Sequence, residues 1–217
     1  HYDELRLANR VWHRDPYWLM NMDDANWRAY LTETCIDWMS GNANQGTFFD
    51  VGVETNASLF NPNIWNPAPG NFDWWMAPHK PFGYGGTMDS RQTFSTYMND
   101  VYRRYFQSVY RSFHAADTAF LVLPNVDQMI TTVYDPVWLD GDANGETVDG
   151  VMVESFGQAT GGDMYLTLER VLRHVTGRGK ILIAQSYPGS TAENLRLIAM
   201  FMLVKNENSY VNFIAGN

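Results

Sequence analysis

Cysteine and lysine are nearly absent from this chain of 217 residues, which contains one cysteine, Cys35, and three lysines. A single cysteine excludes an intrachain disulfide framework and a zinc site built from cysteines. Charged residues make up 18% of the chain, below the roughly 25% that is typical of soluble domains. No stretch approaches the roughly 18 apolar residues of a membrane-spanning helix, so we expect no membrane span.

The charge that is present is mainly negative, with a formal net charge of -9 at neutral pH. Surfaces that bind nucleic acid or anionic membranes carry basic patches, so we expect no nucleic-acid partner. Apolar residues reach 45%, which is enough to bury a sizeable core. Aromatic residues reach 15%, and this excess indicates a role beyond filling that core.

Strand and helix patterns alternate along most of the sequence. The predicted strands lie near residues 18–21, 47–53, 119–125, 150–154, 180–187 and 210–215, and the helices near 24–40, 93–115, 163–176 and 190–205. Near-continuous apolar strands that alternate with helices are typical of a parallel sheet covered on both faces. No glycine-rich phosphate-binding turn follows any of these strands, so a dinucleotide-binding fold is not indicated.

This alternation predicts an α/β fold, specifically a partial TIM (β/α)8 barrel with about six parallel strands, the third to the eighth. Residues 1–217 would form a single catalytic barrel domain that is incomplete at both ends. The rest of a longer chain would then supply the missing barrel strands. An open six-stranded sheet is the alternative. Residues 55–92 interrupt the alternation and predict an aromatic-rich insertion loop on the carboxyl-end face of the strands.

Polar side chains follow the predicted strands at the end where a barrel places its active site. They are Asp50, Glu54, Asn125, Glu154, Gln185 and Tyr187. An ionised carboxylate at the end of an apolar run is costly to bury unless it has a partner or a function. Alternation along the strands places Asp50 and Glu154 on inward faces, on either side of the strand that ends in Asn125.

Two carboxylates that face each other across a gap can flank a scissile glycosidic bond, so we expect Asp50 and Glu154 to be catalytic. In the competing interpretation, each carboxylate caps a helix or pairs with an arginine. We expect the remaining polar residues Asn125, Glu54, Gln185 and Tyr187 to bind substrate. Trp65, Trp74 and Trp75 of the insertion loop join them, because apolar sugar faces stack on aromatic rings. These rings could alternatively only pack the loop onto the barrel.

Three parts of the sequence resemble blocks of a glycoside-hydrolase-like family of (β/α)8 barrels. They are the helix start Asn26–Leu31 with the strand Gly46–Asp50, the segment Asp149–Phe156, and the segment Gly179–Gln185. The arrangement is also similar to that of barrel glycosidases that cleave amino-sugar exopolysaccharides. Those enzymes carry an Asp, an Asn and a Glu at the ends of three successive strands, and Asp50, Asn125 and Glu154 match these positions.

The resemblance implies a glycoside hydrolase that cleaves a polysaccharide with retention, with Asp50 as the nucleophile and Glu154 as the acid/base. We expect such an enzyme to be extracellular or at the cell surface. The long insertion and Gln45 in place of the family's Asp depart from the pattern. The alternative is a non-catalytic carbohydrate-binding or surface-structural barrel.

No cofactor is expected, although one segment is similar to the start of a calcium loop. Asp140, Asp142 and Asn144 precede Gly145 with the spacing of an EF-hand. The twelfth position of that loop is Val151 rather than the bidentate Glu that the motif requires. A structural calcium at these three residues and a solvated turn are therefore the two interpretations.

Overall fold

The computed structural model describes residues 10–14, 17–20, 24–49, 91–126, 135–158 and 162–214. These ranges contain seven strands and four α-helices. In chain order they are β1 (Arg10–Arg14), β2 (Tyr17–Met20), α1 (Ala25–Asn42), β3 (Gly46–Phe49), α2 (Arg91–Ala116), β4 (Leu121–Pro124), β5 (Gly150–Val153), α3 (Gly162–His174), β6 (Ile181–Ser186), α4 (Thr191–Val204) and β7 (Ser209–Phe213). Short 3-10 helices lie at Val137–Asp140 and Thr176–Arg178.

The strands form three small sheets within the described ranges. β3 pairs with β4 in parallel, and β5, β6 and β7 form a parallel sheet in that order. β1 and β2 form an antiparallel pair. Helices follow β5 and β6 along the chain, so the α/β class expected from the sequence agrees with the structure.

The predicted barrel of about six parallel strands is wrong, because the parallel strands of the described residues divide into a sheet of two and a sheet of three. The two sheets divide between β4 and β5, because two of the β4 residues that face β5 do not donate a backbone hydrogen bond to it. The Val122 amide donates to Asp149 Oδ2 at 2.8 Å, and Pro124 has no amide hydrogen. β4 therefore meets β5 at an isolated bridge between Asn125 and Met152 instead of in a continuous ladder.

The first strand of the predicted barrel also has a different partner. The strand expected near residues 18–21 is β2, and it pairs antiparallel with β1. Trp12 lies opposite Trp18 in this pair, and the register shifts before Arg14. The barrel prediction required this strand to run parallel to its neighbour, which the hairpin contradicts.

Helix starts are predicted well by their capping residues. Asp24 Oδ1 accepts a hydrogen bond from the Trp27 amide at 2.9 Å, as expected for an N-cap. Ser190 Oγ accepts from the Glu193 amide at 3.2 Å. α1 continues beyond the predicted end near residue 40 and stops at Ala43, which has the left-handed conformation. None of the described helices has the length and apolar character needed to cross a membrane.

The core centres on α2 and the first 3-10 helix. The Phe106 ring stacks on Trp138 with centroids 4.7 Å apart and planes inclined by 16°. Tyr102 lies 5.5 Å from the same indole, and Phe49 of β3 packs edge-on against Phe106. These contacts join α2 to β3 and to the segment before β5. One face of α2 is buried, and its described residues are Val101, Tyr102, Tyr105, Val109 and Phe113.

A cluster of charged side chains surrounds the buried His174 at the end of α3. His174 is 1% exposed, with Nδ1 2.8 Å from Asp140 Oδ1 and Nε2 2.9 Å from Asp135 Oδ1. Arg173 pairs with Asp135, and Arg178 Nε lies 2.9 Å from Asp140 Oδ1. Partial burial opposes ionisation of Asp135, but its hydrogen bond to Arg173 and the charges of Arg173 and His174 outweigh burial and lower the pKa of the carboxyl below its ordinary value.

Gly150→Ala should destabilise the fold, because a side chain at Gly150 of β5 would clash with Ile181 of β6. A Cβ at Gly150 would lie 2.4 Å from Ile181 Cβ and also 2.4 Å from Ile181 O. We expect a loss of about 1–3 kcal/mol in the free energy of unfolding, measured by urea denaturation.

Gly41→Ala is the matched control, because nothing lies within 4 Å of a Cβ built at this helical position. It should raise the free energy of unfolding by about 0.5–1 kcal/mol. Equal effects of the two substitutions would contradict the proposed close approach of β5 to β6.

Asp135→Asn should lower the melting temperature at neutral pH by about 2 °C, because a partly exposed ion pair contributes no more than about 1 kcal/mol. The lowered pKa of Asp135 means that its ionised form contributes stability above the ordinary carboxyl range. That contribution is lost as the pH falls through the lowered pKa. The difference from wild type should therefore shrink in acid, whereas Glu207→Gln, at an exposed turn, should change little at any pH.

Candidate active site

Glu154 follows β5 directly and begins a tight turn. Ser155 has a φ of 55° and Gly157 a φ of 68°, so the chain reverses within a few residues. The Phe156 amide donates to Gln185 O at 2.8 Å, and Phe156 is fully buried. The turn is therefore fastened to β6, and Glu154 is left half-buried at the carboxyl end of the sheet.

Two neutral side chains from neighbouring strands bind the Glu154 carboxylate. Asn125 Nδ2 donates to Glu154 Oε2 at 2.9 Å, and the Tyr187 hydroxyl donates to Oε1 at 2.9 Å. Asn125 follows β4 and is 5% exposed, whereas Tyr187 follows β6 and is 39% exposed. A carboxylate, an amide and a phenol from the ends of three parallel strands thus meet at one place.

Two further polar residues continue this network towards β7. Gln185 Nε2 donates to the Tyr187 hydroxyl oxygen at 2.5 Å. Asn212 Nδ2 donates to Gln185 Oε1 at 3.4 Å, and these two residues are also register partners in β6 and β7. Gln185 and Tyr187 were expected to bind substrate. The structure brings both to Glu154, with Tyr187 in contact with the carboxylate and Gln185 in contact with Tyr187.

Gln158 is a residue of this site that the sequence analysis missed. Its Nε2 donates to Tyr187 O at 3.0 Å, and its Oε1 accepts from the Tyr187 amide at 3.1 Å. This pair of bonds ties the turn after β5 to the residue after β6. The signal in the sequence was its position four residues after Glu154.

Several predicted site residues lie outside the described part of the chain. They are the second catalytic carboxylate Asp50, the strand-end residue Glu54, and the loop tryptophans Trp65, Trp74 and Trp75. Asp50 is the next residue in sequence after Phe49, whose register partner in β4 is Pro124. The insertion predicted at 55–92 lies mostly outside the described residues as well, and the described chain resumes with α2 at Arg91.

The residues expected to hold calcium bind other side chains. Asp140 contacts His174 and Arg178, as described above. Asp142 Oδ1 accepts from Gln107 Nε2 at 2.7 Å and from the Asn144 amide at 2.7 Å, and its Oδ2 lies 3.5 Å from Arg103 Nε. No group of three or more His, Cys, Asp or Glu side chains suited to a metal occurs among the described residues. The calcium site stays a prediction.

An apolar groove between α1 and β3 is a less suitable site for chemistry. It is lined by Thr34, Cys35, Trp38, Asn44, Gly46, Thr47 and Phe48. Burial raises the pKa of the Cys35 thiol, although a hydrogen bond with Thr47 opposes this in part. A thiol with a raised pKa is mostly protonated at neutral pH and is a poor nucleophile. Cys35 is therefore a weaker candidate for a catalytic residue than Glu154.

Ser155 should tolerate glycine and resist a β-branched residue, because its positive φ is disfavoured for side chains with a branched Cβ. We expect Ser155→Gly to change the free energy of unfolding by less than about 0.5 kcal/mol, since relief of strain offsets added chain entropy. Ser155→Val should lower it by about 1–2 kcal/mol. Chemical denaturation of both variants checks this, and equal stability of the two would refute the left-handed turn.

Comparison with known proteins does not extend this description. No family model matches the chain, and no curated protein matches it.

Proposed function

We propose that this chain is a glycoside hydrolase that cleaves a polysaccharide, with Glu154 as one of its two catalytic carboxylates. The observation that carries the proposal is the convergence of Glu154, Asn125 and Tyr187 at the carboxyl ends of successive parallel strands. α/β enzymes place their catalytic groups at this end of the sheet. The half-buried carboxylate there has no arginine or lysine partner among the described residues, which argues against a purely structural ion pair.

Asp50 is the second carboxylate in this proposal. Its support is the sequence order, because it follows Phe49, and the Phe49 carbonyl accepts a hydrogen bond from the Asn125 amide at 2.9 Å. Asn125 in turn binds Glu154. Glycosidic bond cleavage needs two carboxyl groups, and Asn125 is the residue that connects the ends of β3 and β5.

The pathway that we propose retains the configuration of the sugar. Asp50 attacks the anomeric carbon while Glu154 gives its proton to the leaving oxygen, so that the glycosidic C–O bond breaks as the Asp50–carbon bond forms. Glu154 then takes a proton from water, which attacks the same carbon and releases Asp50. Sugar rings would stack on the exposed Tyr187 and on Trp65, Trp74 and Trp75. A polysaccharide substrate places the protein outside the cell or at its surface.

The test is a polysaccharide panel, with newly formed reducing ends as the readout. Asp50→Asn and Glu154→Gln should each lower turnover by several orders of magnitude while sugar binding persists, because an amide neither attacks nor transfers the proton. Asn125→Ala should cost less, since it orients Glu154 without reacting.

Glu33→Gln supplies the matched control, because it changes an exposed carboxylate of α1 in the same way and should leave turnover unchanged. Near-normal turnover in Asp50→Asn and Glu154→Gln would contradict the proposal that these two carboxylates are catalytic. Saturable binding of a polysaccharide without any cleavage would instead favour the non-catalytic carbohydrate-binding protein.

A further inference from the structure

The outer face of α4 is apolar and exposed, and β7 is an edge strand of its sheet within the described residues. We propose that these two surfaces form one interface, through which two copies of this chain associate about a two-fold axis. β7 of one copy pairs antiparallel with β7 of the other, and the two α4 helices pack side by side. This interface is independent of the proposed function.

α4 is apolar on opposite sides. Its buried side consists of Leu197, Met200, Phe201 and Val204. The other side is an exposed apolar stripe of Leu195, Ile198, Met202 and Leu203. Leu203 is 71% exposed and Leu195 63%, although a helix that is apolar all round is normally buried. The stripe contains no charged residue, so a second copy can pack on it without bringing like charges together.

The stripe faces away from α3. Arg196 marks the side of α4 towards α3, because its Nη1 lies 3.3 Å from Met164 Sδ. Ile198 and Met202 lie on the other side of Leu195 from Arg196, since each residue of a helix turns by about 100°. Right-handed crossovers place α3 and α4 on one face of the sheet, in the order of the strands β5, β6 and β7. The stripe is therefore on the side of the β7 edge.

The outer edge of β7 offers backbone groups for pairing. The Ile214 amide donates to Ser186 O at 2.9 Å, so alternate residues counted back from Ile214 bond to β6. The amides and carbonyls of Ser209, Val211 and Phe213 face the opposite edge, where no described strand pairs with β7. Edge strands are commonly protected by charged residues or proline, and β7 has neither. Such an edge is suited to pairing with another strand.

A single two-fold axis through Val211 satisfies both surfaces. Antiparallel pairing of Val211 with its counterpart makes about six main-chain hydrogen bonds, because Ser209 and Phe213 also pair across the axis. The two α4 helices then lie two strand spacings apart, roughly 9.5 Å, and packed helices lie about 8–10 Å apart. They run antiparallel, which places Leu195 opposite Met202 of the second copy.

The combined surface is large enough for a dimer. Half of the exposed large apolar side chains of the described residues belong to it, namely the four of the stripe together with Tyr210, Val211 and Ile214. At roughly 150–250 Å² for a large side chain, their exposed fractions amount to about 600–1,000 Å² per copy. An interface of standard size buries about 800 Å² on each partner.

The pairing also brings a residue of the second copy to the candidate active site. Tyr210 is 63% exposed and lies on the same face of the sheet as Asn212 and Gln185. In the antiparallel register, Tyr210 of the second copy lies directly opposite Asn212, with Cα atoms about 4.5 Å apart. Asn212 binds Gln185, so the dimer adds an aromatic ring beside the polar network of the site.

The experiment is sedimentation equilibrium of the 217-residue chain from micromolar to millimolar concentration. We expect a reversible equilibrium between monomer and dimer without larger species, because a two-fold interface is closed. The mass of one chain over the whole range would mean that another molecule or segment covers the stripe, and would overturn the proposal.

Two double variants test the antiparallel helix pair at the same two exposed residues. Leu195→Lys with Met202→Lys brings like charges together across the axis and should weaken dimerisation by about 100-fold. Leu195→Lys with Met202→Glu pairs each lysine with a glutamate of the other copy and should dimerise about tenfold more tightly than the first variant. Leu172→Lys, at an exposed leucine of α3, is the control and should leave the dissociation constant unchanged. Equal dissociation constants for the two double variants would refute the antiparallel pair.

Amide hydrogen exchange tests the strand pair in the same samples. The Ser209, Val211 and Phe213 amides should be protected in the dimer, and should exchange faster on dilution and in the variant with two lysines. The Tyr210 and Asn212 amides bond to β6, so they should stay protected throughout and show that each variant is folded. Fast exchange of the Val211 amide in the concentrated wild-type chain would contradict the pairing of β7 with β7.

Discussion

The register of β5 against β6 is the constraint on which the candidate site depends. Val153 lies opposite Ala184, and the pairing continues past the strand end because the Phe156 amide still reaches Gln185 O. This puts Glu154 level with the polar end of β6. A shift by one residue would turn every side chain of β5 to the opposite face and would separate Glu154 from Tyr187.

The same register depends on small residues and on the core behind the sheet. Gly150 admits the close approach of Ile181, and a side chain there would push the two strands apart. Trp138 and the aromatic face of α2 pack beneath β3 and the segment leading to β5. Asp149, next to Gly150, accepts from the Val122 amide and contacts His114 Nε2 at 3.1 Å. The Asp149 carboxylate thus adds to the two backbone hydrogen bonds that join β4 and β5, from Asp149 N to Val122 O and from Val126 N to Met152 O.

In the sequence, the site is indicated by Glu154, because a carboxylate at the end of an apolar strand is costly to bury. A carboxylate after the apolar run Val151–Val153 indicates either a partner or a function, and the structure supplies neutral donors as partners. Asn125 was predicted because it ends the preceding apolar strand. Gln158 and Asn212 were not predicted, since a glutamine in a turn and an asparagine within a strand carry no periodic signal. Their importance comes from the residues that folding places beside them.

Sequence by itself determined the local elements of this protein. Apolar runs set β4, β5 and β6, helical spacing set the buried face of α2, and Asp24 and Ser190 set helix starts, because each depends on neighbours within a few residues. Tertiary structure alone decided how the strands combine. Pro124 and the Asp149 carboxylate interrupt the ladder between β4 and β5, and the pairing of β2 with β1 removes a strand from the predicted barrel. Which hydrogen-bond donor meets which acceptor depends on residues distant in the chain, so periodicity could not reveal it.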